Sequence, residues 1–506
     1  MGRIISKQEY KLIKQEMDNK KVGLCHGVFD LIHPGHIIHF EEAKTVCDIL
    51  VVSVTASEYV RKGPDRPYFD DDMRMKFLSS ISFIDYVMLS EGYTVDDIIE
   101  CVEPDFYIKG EEYTVPEDDI TGKIDEEIKL VQKHGGDIYY TSGQVFSSTK
   151  LLNHGLSALP HEVMEFSVDF IKRYSMKDIK YFSEIVKNLK LLVIGDVIID
   201  KYTYCSVQGL MSKDMGYSAR YQEDEEYLGG SVAIAKHLAA FSNNVCLCSV
   251  IGSEIEINRK IKREIESSIK LELIQSEVFH TIIKHRYLQR NQKRDELHKI
   301  FAINNIPYDR QFDGNVIKAF KDKILNIIGG YDVVFLCDFG HGLINDEIID
   351  IIQKKAKFLV LNCQANSTNY GLNIITKYKR ADVFALDQKE LKLAYPNISE
   401  KMAFEKLSNH FNGSSGWLTR GSSGAYGIEN GIISSCPAFT LDVIDTIGAG
   451  DAFYAVGGLY KSAGASTELG MFMGNVAGAL AANIVGNKNA LQKANVLKYA
   501  NTLLNV

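Results

Sequence analysis

His33 and His36 stand three residues apart in GVFDLIHPGH, residues 27–36, flanking Pro34 and Gly35 directly after an apolar run. That spacing puts both imidazoles on one face of the first turn of a helix, where backbone N–H groups already favour an anion. Two imidazoles so placed can donate hydrogen bonds to phosphate oxygens as charge builds on a transferring nucleotidyl group, so that catalysis comes from positioning and electrostatics. Zinc also uses helical histidine pairs, but the glutamate of an HExxH pattern is missing. A capped helix start with two surface histidines is the plain structural alternative. The ten residues alone leave these readings open.

A second stretch, DTIGAGDAF at 445–453, follows the strand-like FTLDVI and leads into a helical pattern. Gly448 and Gly450 let backbone N–H groups converge on an anion, and a helix start adds its dipole. Asp451 serves there either as an ordinary helix cap or as a base for a substrate hydroxyl attacking a γ-phosphate. No GxxxxGK[ST] occurs in the chain, which excludes a Walker-type site.

The elements that position these residues are α/β. KVGLCHGVF, then a helical GHIIHFEEAKTV, then DILVVSV make one βαβ unit with parallel strands. The alternation continues through IDYVMLS, PDFYIKG and GGDIYYT to a helical SSTKLLNHG. Residues 157–188 carry helical spacing and no strand signal. A second series opens at LKLLVIGDVIID and includes YDVVFLCDFG, KFLVLNC and ADVFALD, with β-like stretches between 203 and 303 that suit a small accessory sheet. The expected domains are therefore 1–156, a helical connector over 157–188, and 189–506.

A chain of 506 residues is too long for one core. Its 45% apolar and 24% charged residues are those of a globular protein, and a net charge of -9 argues against a nucleic-acid or anionic-membrane binder. Nine dispersed cysteines without a CxxC pair point to free thiols and a cytoplasmic setting, with no zinc site. The amino-terminal stretch lacks the apolar core of a signal peptide. The longest uncharged run, 470–486, spaces Gly470, Gly474 and Gly478 four apart, but it is short for a membrane span and contains Asn475 and Asn483. A tightly packed buried helix is the expected outcome.

Residues 20–154 resemble the cytidylyltransferase-like nucleotidyltransferases, through GVFDLIHPGHIIHFEEAK, RKGPDRPYFDDDMRMKFLSSI, PDFYIKGEEY and SSTKLL. The resemblance implies a Rossmann-like domain in which His33 and His36 contact a nucleoside triphosphate and Lys44, on the helix after them, contacts phosphates. Ser148 and Thr149 would hold the triphosphate, and Gly27, Phe29, Asp30, Arg74 and Lys109 fall on nucleotide-binding positions. Family members often carry an arginine where Tyr140 stands, which leaves ATP and CTP open as donors.

Residues 189–500 resemble the ribokinase-family carbohydrate kinases, through VIGDVIIDKY, LGGSVAIAKHLAAF, LTRGSSGA and DTIGAGDAF. That implies an α/β kinase with a small β lid, Asp451 as catalytic base and an anion hole of Gly448, Ala449 and Gly450. Asp196, Asp200, Gly229 and Gly230 would contact the sugar and Asn483 would flank the adenine. The family's NxxE reads DQKE here, so Asp387 and Glu390 would help place Mg²⁺ indirectly. The chain as a whole is similar to the bifunctional heptose 7-phosphate kinase/heptose 1-phosphate adenylyltransferases, with the domain order reversed.

The implied function is a bifunctional enzyme that phosphorylates a heptose-like sugar or sugar phosphate with ATP, and transfers a nucleotidyl group from ATP or CTP to a sugar phosphate for glycan assembly. A cytidylyltransferase for a polyol phosphate, joined to an unrelated kinase or to a sugar-binding domain without activity, is the alternative. Mg²⁺, small sugars and nucleotides are the expected partners. Because lids of the kinase family often pair, a homodimer is expected.

Overall fold

In the computed structural model the described residues are 2–14, 17, 19–60, 66–92, 94–110, 124–141, 159–213, 215–290, 297–306, 312–366, 369–439 and 443–505. The chain divides into two compact units, Met1–Val168 with Leu497–Val506, and Asp169–Val496. The division falls inside the expected connector, which carries the helices His161–Phe170 and Met176–Asn188.

In the first unit, strands β1 (Arg3–Ile4), β2 (Val22–Gly27), β3 (Ile49–Thr55), β4 (Tyr86–Ser90), β5 (Phe106–Gly110) and β6 (Asp137–Thr141) form one sheet in the order β1-β4-β3-β2-β5-β6. Every pair in it is parallel. Such a sheet is covered on both faces, and alternate residues serve opposite cores. Leu24 and Val51 join Tyr10, Ile98 and Tyr107 on one face, while Cys25 and Val52 join Phe40, Ala43 and Leu78 on the other. The chain runs outward from β2 through β3 to β4, then returns to β5 on the other side of β2. The carboxyl ends of β2 and β5 therefore flank the switch point where doubly wound folds bind ligands.

The second unit holds β7 (Lys190–Gly195), β8 (Val197–Leu210), β9 (Tyr217–Gly230), β10 (Asn244–Gly252), β11 (Lys270–Ser276), β12 (Ile282–Arg290), β13 (Leu297–Asn305), β14 (Val333–Asp338), β15 (Phe358–Cys363), β16 (Val383–Asp387), β17 (Ser415–Thr419), β18 (Ala425–Glu429) and β19 (Ile432–Cys436). Nine make the sheet β11-β10-β7-β14-β15-β16-β17-β18-β19, and four make a separate sheet, β13-β12-β8-β9, the accessory sheet expected between 203 and 303. The large sheet is parallel from β11 to β17 and ends in two antiparallel strands. Its switch point lies between β7 and β14.

The glycine-spaced run forms the buried helix Thr467–Ala481, and no described helix is long and apolar enough to cross a membrane. Its small residues serve close packing. A Cβ on Gly470 would lie 2.8 Å from the buried Trp417 ring, and one on Gly474 would lie 3.0 Å from Phe453 of the helix Ala449–Ser462. Trp417 Nε1 donates to Thr467 O at 2.9 Å, which ties the start of this helix to β17.

Candidate functional site

β2 ends at Gly27, and the helix Pro34–Val46 begins with His33 as its extended N-cap and Pro34 in its first turn. Between them Phe29 takes a left-handed φ of 49°, an unusual backbone for an aromatic residue and of a kind that clusters at functional sites. A Cβ on Gly27 would lie 3.1 Å from its ring, which itself meets His36 edge-on with centroids 5.5 Å apart. The His33 and His36 rings stack, with centroids 3.9 Å apart and planes at 29°. The His33 backbone N–H donates to His36 Nδ1 at 3.4 Å. An accepting Nδ1 places the neutral ring's proton on Nε2, which leaves that nitrogen as the donor. Burial pushes the His33 imidazole below its ordinary range, which favours its neutral form.

Two further histidines lie beneath this pair. His26 Nδ1 meets Ser53 Oγ at 2.8 Å, and burial, with Lys109 nearby, pushes the ring down to about 3. His39 bridges Thr141 Oγ1 at 2.7 Å and Cys25 Sγ at 3.3 Å, and burial holds it at about 4. Both are uncharged struts that tie the helix and β2 to their neighbours. Lys109, on β5 at the switch point, pairs with Glu127 Oε2 at 3.1 Å.

Three expected nucleotide contacts are placed otherwise. Lys44 sits in the last turn of its helix, ion-paired to Asp85 and donating to Asp48 O at 2.6 Å. At 1.5 Å per residue it lies about 15 Å from the histidine end. Arg74 is 2% exposed and places its five N–H groups on Phe69 O, Val28 O, Thr55 O, Ser57 Oγ and Asp71 Oδ1, which leaves none for a phosphate. Asp30 accepts from Tyr68 N at 2.6 Å and Phe69 N at 3.0 Å and pairs with Arg66 at 3.1 Å. It anchors the segment before the helix Asp71–Ser79. Ser148 and Thr149 lie outside the described residues.

In the second unit a cavity of about 260 Å³ opens at the carboxyl edge of the large sheet, lined among others by Asp200, Lys284, Gln364, Gly448, Gly450 and Asp451. Gly448 takes φ 86° as N-cap of the helix Ala449–Ser462, a conformation that glycine adopts without strain. A Cβ on Gly450 would meet no protein atom, so the first helical turn is open to a ligand there. Asp451 accepts from Gln364 Nε2 at 2.8 Å, and burial pushes its carboxyl up to about 6. Ala449, expected in the anion hole, directs its N–H to Thr446 O at 3.3 Å.

The glycine pair packs against the two acidic residues, and of these four Asp200 and Gly230 line the cavity. A Cβ on Gly229 would lie 2.1 Å from Asp200 Oδ2, and one on Gly230, whose φ is 61°, would lie 2.6 Å from Asp196 O. Asp200 is ion-paired to Arg286 and accepts from Asn487 Nδ2 at 3.3 Å. Burial, with Asp338 facing it, pushes the Asp196 carboxyl up to about 7. Asn483 does not line the cavity; its Nδ2 donates to Ala479 O at 3.0 Å, closing the end of the helix Thr467–Ala481 that precedes it.

Asp387 and Glu390 cap each other at the start of the helix Gln388–Ala394. Glu390 accepts from Ala365 N at 2.9 Å and from Asp387 N at 2.8 Å, while Asp387 Oδ1 accepts from Glu390 N at 2.8 Å. Burial and Asp387 push the Glu390 carboxyl up to about 8. With both of its oxygens taken by backbone N–H groups and its proton held to about 8, Glu390 does not fit a directly bound Mg²⁺. No group of three or more metal-binding side chains occurs among the described residues. Lys284 and Arg286 went unassigned in the sequence, although their alternation along β12 puts both on one face. Gln364 and Asn487 gave no local signal.

Residues 24–154 match the family model described as cytidylyltransferase-like. The bifunctional protein HldE of Paramagnetospirillum magneticum is 37% identical over 121 residues, 24% of this chain and 23% of that protein. The bifunctional protein HldE of Caulobacter vibrioides is 40% identical over 97 residues, 19% of this chain and 20% of that protein. The matched region thus spans less than a quarter of these curated relatives. Among solved structures, phosphofructokinase-2 from Escherichia coli in complex with potassium is similar over 62% of this chain and 99% of its own, with 13% identity and a TM-score of 0.49. Ribokinase from Thermotoga maritima is similar over 61% and 99%, with 16% identity and a TM-score of 0.47.

Proposed function

We propose that the chain is a bifunctional enzyme, with a nucleotidyltransferase over 1–156 and a kinase over 189–506 that phosphorylates a heptose-like sugar or sugar phosphate with ATP. The observation that carries the kinase half is one cavity holding Asp451, the Gly448 helix start, Asp200 and Lys284. A hydroxyl of the acceptor, held by Asp200 and Asp196, gives its proton to Asp451 as its oxygen attacks the γ-phosphorus of ATP; the bond to the β–γ bridging oxygen breaks and ADP leaves. The N–H groups of the first helical turn take the charge on the transferring phosphoryl. Lys284, half-buried and facing Asp200 and Asp451, supplies positive charge suited to an anionic acceptor.

In the transferase half, a sugar phosphate oxygen attacks the α-phosphorus of ATP or CTP and pyrophosphate leaves. His33 and the Nε2 of His36 donate to the oxygens where charge develops. The test is pyrophosphate release from ATP and from CTP, and ADP formation from ATP, each with a panel of sugars, sugar phosphates and polyol phosphates. Both activities with heptose-type acceptors support the reading. Release from CTP with a polyol phosphate, and no sugar-dependent ADP, replaces it with a cytidylyltransferase joined to a sugar-binding domain.

A further inference from the structure

We infer that Gln364 is a positioning residue for Asp451: its side-chain amide fixes one carboxylate oxygen and leaves the other to face the cavity as the proton acceptor. The inference rests on the kinase reading and names what makes that base usable. Gln364 follows β15, and its backbone is held at both polar groups. Its N–H donates to Asp338 O at 2.8 Å, and its carbonyl accepts from Asn373 Nδ2 at 3.0 Å. The side chain therefore starts from a fixed point at the sheet edge and reaches Asp451 Oδ1 at 2.8 Å. A carboxylate only accepts, so the amide presents its NH₂ and not its oxygen.

An amide is suited to this place because it donates at every pH without adding charge. Asp451 is surrounded by groups that pull in opposite directions. Asp200 on β8 raises it, while Lys284 on β12 lowers it. Glu390, Cys337 on β14 and Tyr454 on its own helix also interact with it. Burial dominates and holds the carboxyl at about 6, with the Gln364 hydrogen bond as the largest opposing influence. A cation at 364 would drive the carboxylate down and weaken it as a base; an apolar residue would leave it protonated near neutrality.

The test compares the full-length protein with Gln364→Leu and Gln364→Glu, checking each for an unchanged melting profile. Asp451 is titrated by carboxyl ¹³C NMR, its signal assigned by its loss in Asp451→Asn. For Gln364→Leu the titration moves up by about one pH unit, the worth of one hydrogen bond to a charged group. The acid limb of kcat/KM for sugar-dependent ADP formation moves by the same amount, with KM for ATP little changed. For Gln364→Glu the two carboxyls share a proton and titrate in two separated steps. An Asp451 titration that is the same in wild type and both variants overturns the inference. Absence of sugar-dependent ADP in the wild type overturns the kinase reading instead, and the NMR titration still decides whether Gln364 governs Asp451.

Discussion

Asn487 occupies the space that any side chain on Gly448 would need: its Oδ1 would lie 2.4 Å from a Cβ built there. The same side chain donates from Nδ2 to Asp200 Oδ2 at 3.3 Å. One asparagine thus links the acidic side of the cavity to the helix start that would receive a phosphoryl group. Gly448→Ala meets both this clash and a φ of 86°. Sugar-dependent ADP formation falls by roughly 100-fold or more, the scale of losing an oxyanion-type donor. Pyrophosphate release by the first unit is unchanged, and the ratio of the two activities is the measurement.

Asp451→Asn removes the proton acceptor while keeping its shape and the room for Gln364. ADP formation drops by about 10²–10⁴-fold, with KM for ATP little affected. In the wild type, Asp451 at about 6 places the acid limb there. Activity is present above that pH, where the carboxylate is ionised, and is lost as pH falls through it. A pH profile of kcat/KM checks both statements.

His33→Ala and His36→Ala each reduce pyrophosphate release by several orders of magnitude, with sugar-dependent ADP formation intact. Retained release in both variants returns the pair to a capped helix start.

Lys44 and Arg74 separate position from charge. Lys44→Met removes a surface ion pair with Asp85 and changes pyrophosphate release less than about 3-fold, since exposed pairs contribute about 0–1 kcal/mol. Arg74→Met breaks the ion pair with Asp71, which keeps its hydrogen bonds from Ser57, and takes a donor from the carbonyls of Val28, Thr55 and Phe69 in a part-buried setting. It lowers stability by about 3–5 kcal/mol in denaturant titration.

His26 makes the first unit acid-sensitive. Its folded pKa of about 3 lies below its ordinary 6.5. Between those values the unfolded chain binds a proton that the folded site refuses, so stability is present above 6.5 and declines as pH falls toward 3. His26→Asn flattens this part of the stability-against-pH curve, read by thermal melting across that range.

Much of the architecture is legible along the chain because parallel strands buried on both faces leave long apolar runs. The stretches around Val22–Gly27, Ile49–Thr55 and Val333–Asp338 each become strands. The accessory sheet is legible instead from β-like stretches between 203 and 303, and the buried helix from its uncharged, glycine-spaced run. Lys44 shows where such reading ends. Its type and its helix suit a phosphate contact, but its distance along the helix axis carries it to the opposite end.

The sequence by itself determined the two local motifs: the phase of His33 against His36, and the glycine turn that opens the helix bearing Asp451. Backbone geometry over a few residues is enough for both. Only the tertiary structure decided which donors meet which carboxylates. Gln364 and Asp451 lie 87 residues apart, and Asn487 and Asp200 lie 287 apart. Strand order and register bring them together, and burial then sets their charge; neither is encoded in the spacing of neighbours. Arg74 shows the same on a shorter range: its guanidinium became a buried strut because Val28, after β2, and Thr55 and Ser57, at the end of β3, close around the start of its helix.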